Sequence, residues 1–268
     1  MGKIIAVVNQ KGGVGKTTSA VNLAAAVGQR GKSVLLVDID PQGNATSGMG
    51  LNKRELAKSS YDVIINGTPA KEVIKHTEFD GVDVLPANMN LAGAELELVD
   101  SSKRESNLKN ALLLVKGEYD FIFMDCPPSL GLITLNALCA ADTVLVPIQC
   151  EYYALEGLSQ LISTVRQVKR LYNPMLEIEG VLLTMYDGRL NLTQQVVDEL
   201  KRFFPKKVYS TPIPRNVKLS EAPSYGQPVM YYDKRSTGAA AYGSLADEFL
   251  SRIYLKQDTA GVDSVKGH

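Results

Sequence analysis

The chain has 268 residues, enough for one large unit with a full core. Its 29 basic and 29 acidic residues give a formal net charge of zero, which excludes global electrostatic attraction to DNA or to acidic membranes and leaves only local patches. Apolar residues make up 45% and charged residues 22%, the composition of a folded chain and not of a disordered one. Cys126, Cys139 and Cys150 form no C-x-x-C pair, so neither a disulfide framework nor a zinc site is expected, and a reducing cytosol is the natural setting. With His76 and the terminal His268 alone, histidine-based catalysis is not expected. The N-terminus has no signal-peptide layout. The most apolar long stretch, 131–148, is broken by Asn136, Asp142 and Pro147, so no bilayer span is expected.

In chain order, residues 3–8 (KIIAVV) are a short apolar run of the kind that forms a strand buried on both faces. A Gly-rich turn follows, then a helix over 17–30 that ends at Gly31. The strand signal returns at 33–38, 82–86, 119–125, 143–148 and 179–184, and helical patterns fall at 91–99, 106–116, 132–140, 152–172 and 192–204. Strands alternating with helices predict a doubly wound α/β fold, its mostly parallel sheet covered on both faces. Residues 211–228, rich in Pro, Ser and Gly, read as a long loop. A last amphipathic helix at 238–254 aligns Tyr242, Leu245, Phe249 and Ile253 on one face. One domain over 1–255 is expected, with a disordered polar tail at 256–268.

The strongest chemical signal is Lys11-Gly12-Gly13-Val14-Gly15-Lys16-Thr17-Thr18, set directly after the first strand and opening the first helix. Glycines there let backbone N–H groups turn inward around phosphate oxygens, and the helix N-terminus favours their charge. Lys16 is placed to reach β/γ oxygens, and the Thr17 hydroxyl to ligate Mg²⁺. The loop departs from the usual P-loop, with Gln10 where a glycine is ordinary and a second lysine, Lys11, near its start. Lys11 is either a solvated loop lysine or a group that reaches a partner's phosphates across an interface. Asp125 ends the very apolar strand run FIFMD, and a charge there is costly unless it faces a cation.

With these blocks the sequence resembles the ParA/Soj branch of the ParA–MinD ATPases, P-loop proteins with a deviant Walker A motif. The resemblance continues through Asp38-Ile39-Asp40-Pro41-Gln42-Gly43-Asn44, Asp125-Cys126-Pro127-Pro128-Ser129, QCEYYALEG at 149–157, Pro214-Arg215-Asn216 and Glu221-Ala222-Pro223. It implies an ATPase using ATP and Mg²⁺, with Lys11, Lys16 and Asp40 as catalytic residues, Asp40 orienting the attacking water. Thr17 and Asp125 would hold the metal. Asp38 is read either as a group on the metal's water shell or as a structural cap, and Cys126 as a buried filler. Met185, Pro214 and Asn216 would line the adenine.

The resemblance also implies a homodimer formed on ATP, with Lys11 of each protomer at the other's nucleotide. It further implies non-specific double-stranded DNA binding, hydrolysis stimulated by a ParB-type centromere-binding partner, and a cytoplasmic, nucleoid-associated location. From Tyr186 to Lys256 eleven basic residues stand against seven acidic ones, a local excess within a neutral chain. Arg189, Arg215, Lys218 and Arg235 are the preferred DNA contacts. The competing reading is a MinD-like ATPase that positions itself on membranes or positions cargo. The last helix argues against membranes, because Asp247 and Glu248 sit beside Arg252 on its polar face.

Overall fold

A computed structural model describes residues 2–99, 104–151 and 154–265. Seven strands form one sheet: β1 (Lys3–Val7), β2 (Val34–Asp38), β3 (Lys75–His76), β4 (Val82–Leu85), β5 (Phe121–Asp125), β6 (Thr143–Gln149) and β7 (Glu177–Thr184). Their order is β3-β4-β2-β5-β1-β6-β7, and every pairing is parallel except that of β3 with β4. The expected doubly wound architecture is therefore present.

Alternation along the strands feeds two cores. Ile4, Ala6, Leu35, Val37, Ile122 and Met124 face one layer, while Ile5, Val7, Val34, Leu36, Phe121 and Phe123 face the other. Helices cover both faces, which is why these strands are apolar at every position instead of every second one. On the second face lie α1 (Lys16–Gly28) and the last helix, Thr237–Val265. Tyr242, Leu245, Phe249 and Ile253 of that helix are buried as expected.

Three features differ from expectation. The edge strand β3 has two exposed residues and carries no apolar signal, so periodicity could not reveal it. Residues 211–228 are not one loop: they hold a helix at Val217–Glu221, started by Asn216, whose side chain accepts from Lys218 N, and a 3₁₀ turn at Ala222–Tyr225. The last helix continues to Val265, beyond the boundary expected at 255, since no proline interrupts it; residues 266–268 lie outside the described ones. So do Tyr152 and Tyr153, at the expected start of the helix found at Ala154–Leu171.

Candidate nucleotide-binding site

The carboxyl ends of β1, β2 and β5 meet in register, with Val7 opposite Asp125 and Asp38 opposite Asp125. Open α/β sheets bind ligands at this edge. The chain leaves β1 into the loop and enters α1 through Gly13 (φ 74°) and Gly15 (φ 80°), left-handed positions that side chains resist. No side chain caps the α1 N-terminus, so its first amides face the loop. Thr184, at the end of β7, braces the turn by donating to Val14 O at 2.8 Å.

Asn9 ties the loop's start to β6. Its side-chain amide donates to Pro147 O at 2.7 Å, and its oxygen accepts from Lys11 N at 2.9 Å. Lys16 is buried, and its Nζ donates to Lys11 O at 3.0 Å across the cradle. Burial lowers its pKa, against the opposing pull of the Asp125 and Asp40 charges. The Lys11 ammonium pairs with Glu151 of the same chain, with both side chains part-exposed. In the single chain the lysine is thus a part-exposed loop residue held in cis.

Three carboxylates crowd the opposite wall. Asp125 is fully buried and neither oxygen has a hydrogen bond of ordinary geometry; the polar side chain approaching it is that of Thr17. Burial first, then the neighbouring Asp38, holds its pKa well above the carboxylate range. An orphaned buried carboxylate beside a threonine hydroxyl fits a divalent cation. Among the described residues no three His, Cys, Asp or Glu side chains cluster to hold a metal.

Asp38 differs. Its Oδ2 accepts from Thr46 N and Thr46 Oγ1, both at 2.7 Å, and its Oδ1 from Asp40 N at 3.1 Å. Burial pushes its pKa up to about 6 against those bonds. These contacts are of the kind a structural cap makes, and Oδ1, with one donor, keeps acceptor capacity for a place on the metal's water shell. Asp40 is almost buried, and its Oδ1 accepts from Gln42 N at 2.9 Å. Cys126 is buried, and desolvation holds its thiol well above the ordinary range.

A cavity of about 250 Å³ opens beside Gly15 and Thr18 and is lined by Met185, Pro214, Arg215 and Asn216. The structure thus brings the three expected base-lining residues to the loop. Met185 has a left-handed backbone (φ 48°), which turns the chain off β7 so that Tyr186 N donates to Ile213 O at 2.9 Å. The Asn216 amide donates to Thr237 Oγ1 at 2.6 Å, joining the cavity to the last helix. A larger apolar groove of about 410 Å³ beside Phe204 contains none of these residues.

The four expected DNA contacts lie on separate segments. Arg189 projects on the loop after β7, held by Asp187 through two bonds of 2.8 and 2.6 Å that pull Asp187 down to about 2. Arg215 is exposed at the cavity rim. Lys218 pairs with Glu221 at 2.8 Å and sits over the Tyr232 ring, and Arg235 is exposed before the last helix. Asn9, Thr46, Glu151 and Thr184 went unrecognised in the sequence. They act through contacts with distant segments, and only Glu151, inside the block 149–157, carried any signal.

Comparison with known proteins decides the family. The family described as AAA domain matches residues 2–178. The sporulation initiation inhibitor protein Soj of Bacillus subtilis (strain 168) is 59% identical over 92% of this chain and 98% of its own. The chain belongs to the Soj/ParA family of partitioning ATPases. The chromosome partitioning protein ParA of Myxococcus xanthus is 51% identical over 94% of this chain and 89% of its own. Among solved structures, a Mycobacterium smegmatis protein described as cobyrinic acid a,c-diamide synthase superposes with a TM-score of 0.80. It is 38% identical, covers 92% of this chain and 93% of that one, and holds ADP and magnesium. The cell division ATPase MinD of Pyrococcus furiosus superposes at 0.77 with 28% identity over 94% of this chain and 99% of its own. This Soj/ParA member has, among the described residues, no helix long and apolar enough to cross a membrane.

Proposed function

We propose that this chain is a Mg²⁺-dependent ATPase whose ATP-bound homodimer holds double-stranded DNA without sequence preference and lets go on hydrolysis, in chromosome or plasmid partition. The observation that carries the reading is the buried, unpartnered Asp125 carboxylate facing Lys16 and Thr17 at the mouth of the glycine loop. Buried without an ordinary hydrogen bond, this group stays protonated in the metal-free chain and gains from ionising once a cation lies before it.

The amides of Gly12, Gly13, Val14, Gly15 and Thr18, with the α1 N-terminus, bind phosphate oxygens. Lys16 exchanges Lys11 O for the β/γ oxygens, a short swing from a preformed position. Thr17 and Asp125 hold Mg²⁺, which supplies charge neutralisation at the phosphates when bound. Asp40 orients the attacking water from the turn after β2. Met185, Pro214 and Asn216 line the base. Lys11 leaves Glu151 and crosses the interface to the partner's phosphates, stabilising the charge that develops there.

Arg189, Arg215, Lys218 and Arg235 neutralise DNA phosphates. With about three of these four engaged per protomer, a dimer offers about six contacts and a salt slope near −5. A single protomer binds weakly, and pairing two patches strengthens binding by effective concentration. ATP-driven pairing thereby switches DNA binding on. Membership in the Soj/ParA family supports a ParB-type partner that stimulates hydrolysis and a nucleoid-associated place in the cytoplasm.

The test is binding to random-sequence duplex at several salt concentrations, without nucleotide, with ADP and with ATP. Salt-sensitive binding seen only with ATP, and lost in Lys11→Ala and Arg189→Ala, is the expected result. An ATP dimer that ignores DNA would sink the DNA reading and redirect the search to membranes or protein cargo.

A further inference from the structure

We infer that Thr46 is a positioning residue for ATP hydrolysis, its buried hydroxyl locking the Asp40 turn onto the sheet edge. The inference rests on the role proposed above for Asp40.

Thr46 lies in the middle of α2 (Asn44–Gly48), and its residue surface is wholly buried. Its Oγ1 donates to Asp38 Oδ2 at 2.7 Å and accepts from Ala87 N at 2.8 Å. Its own amide donates to the same Asp38 oxygen at 2.7 Å, while the other oxygen of Asp38 accepts from Asp40 N at 3.1 Å. A continuous chain of hydrogen bonds therefore runs from Ala87, just beyond β4, through Thr46 and Asp38 to the backbone of Asp40. All of its side chains are shielded from water, so nothing in solvent can replace a missing member.

The turn closed by this chain is held on its other side as well. Gly43 N donates to Asp40 O at 2.9 Å; Gly43 is left-handed (φ 60°), and a Cβ there would stand 2.9 Å from Ala87 O. Ala87 thus meets the turn through its N–H, which engages Thr46, and its carbonyl leaves no room for a side chain at Gly43. A carboxylate that must aim a water at a phosphate has to be held within about half an ångström, and it inherits that placement from its backbone. Thr46 and Asp38 touch no reacting atom. They act through Asp40.

Valine at 46 preserves the shape but neither donates nor accepts, leaving Ala87 N buried without a partner and Asp38 Oδ2 with one bond fewer. Serine keeps the hydroxyl. The experiment compares Thr46→Val, Thr46→Ser and Asp38→Asn with wild type. It measures affinity for a fluorescent ATP analogue, kcat, the Mg²⁺ concentration for half-maximal rate, and amide hydrogen exchange in the nucleotide-free protein. Thr46→Val should lower kcat about ten- to a hundredfold, with analogue affinity and Mg²⁺ requirement within about twofold of wild type. Exchange protection at Ala87 should fall, and Thr46→Ser should recover most of the rate.

Should Thr46→Val melt below the assay temperature, Asp38→Asn replaces one of the two acceptor oxygens by a donating NH2, so that either Thr46 or Asp40 N loses its acceptor and the relay is broken; it should show the same split between rate and affinity. Equal kcat in wild type and Thr46→Val would overturn the inference. So would a parallel loss of affinity and rate, a serine as defective as valine, or a raised Mg²⁺ requirement in Asp38→Asn. A wild type that binds the analogue without hydrolysing it would instead sink the ATPase reading itself.

Discussion

Asp125 and Asp38 sit side by side at the ends of β5 and β2, both buried and both pushed above the ordinary value of 3.8. They differ in what satisfies them: Asp38 has three donors, and Asp125 has none of ordinary geometry. The folded, metal-free chain therefore retains protons in a pH range where the unfolded chain has lost them. For raised carboxylates this stabilising contribution is complete below the unfolded value and is lost as pH rises through the folded one, about 6 for Asp38. Asn at position 125 cannot ionise. Asp125→Asn should raise the Tm of the nucleotide-free protein at neutral pH, with the gain shrinking as pH falls toward about 4. Melting curves across that range check it, and a gain independent of pH would contradict the assignment. The same substitution should abolish the Mg²⁺ requirement along with hydrolysis.

Among the elements, the last helix decides how the second face of the sheet is closed. Phe249 is fully buried, its ring centroid 5.2 Å from that of Phe121 and 5.6 Å from that of Phe123. The helix is also latched at its rim: Arg30 holds Asp247, and Arg252 donates to Glu248 and Val208 O. Tyr242 reaches α1 through Ser19, 3.2 Å away. Phe249→Ala should cost about 3–5 kcal/mol through lost burial and the cavity left behind, seen as a fall in Tm of about 10 °C. A loss below about 1 kcal/mol would mean that the helix contributes little to closing the core. The amphipathic pattern at 238–254 made this helix legible, because its apolar face repeats at helical spacing. The short helices at Asn44–Gly48 and Val217–Glu221 were not legible, since the first is held by contacts of Thr46 with Asp38 and Ala87 and the second by its Asn216 cap instead of by a repeating face.

For the whole molecule, the pairing of Lys11 with Glu151 ties the glycine loop to the segment after β6, and Asn9 makes a second tie to that strand. In the single chain the lysine expected to act across an interface is therefore held at home. Both partners are part-exposed, so the pair is a weak hold that solvent screens. Glu151→Gln should strengthen dimerisation on a non-hydrolysable ATP analogue about two- to fivefold, measured by sedimentation. Weaker dimerisation in that variant would show that Glu151 serves the interface and does not oppose it. Charge acts at this scale too: a neutral chain has no long-range pull on DNA, so the basic excess after residue 186 has to work as a paired local patch.

The sequence by itself determined the six parallel strands of the sheet, the glycine-rich loop and the family. Buried parallel strands demand continuous apolar runs, and a loop that wraps phosphate demands glycines at set positions; both constraints are local and leave a readable trace. Only the tertiary structure decided which donors reach each of the three aspartates, the pairing of Lys11 with Glu151, and the buried contacts of Thr46. Each depends on which distant backbone or side chain arrives beside the residue. The Thr46 hydroxyl meets an amide 41 residues away, and Lys11 meets a carboxylate 140 residues on. Burial and partner donors are products of packing, and they separate a carboxylate awaiting a cation from one already satisfied.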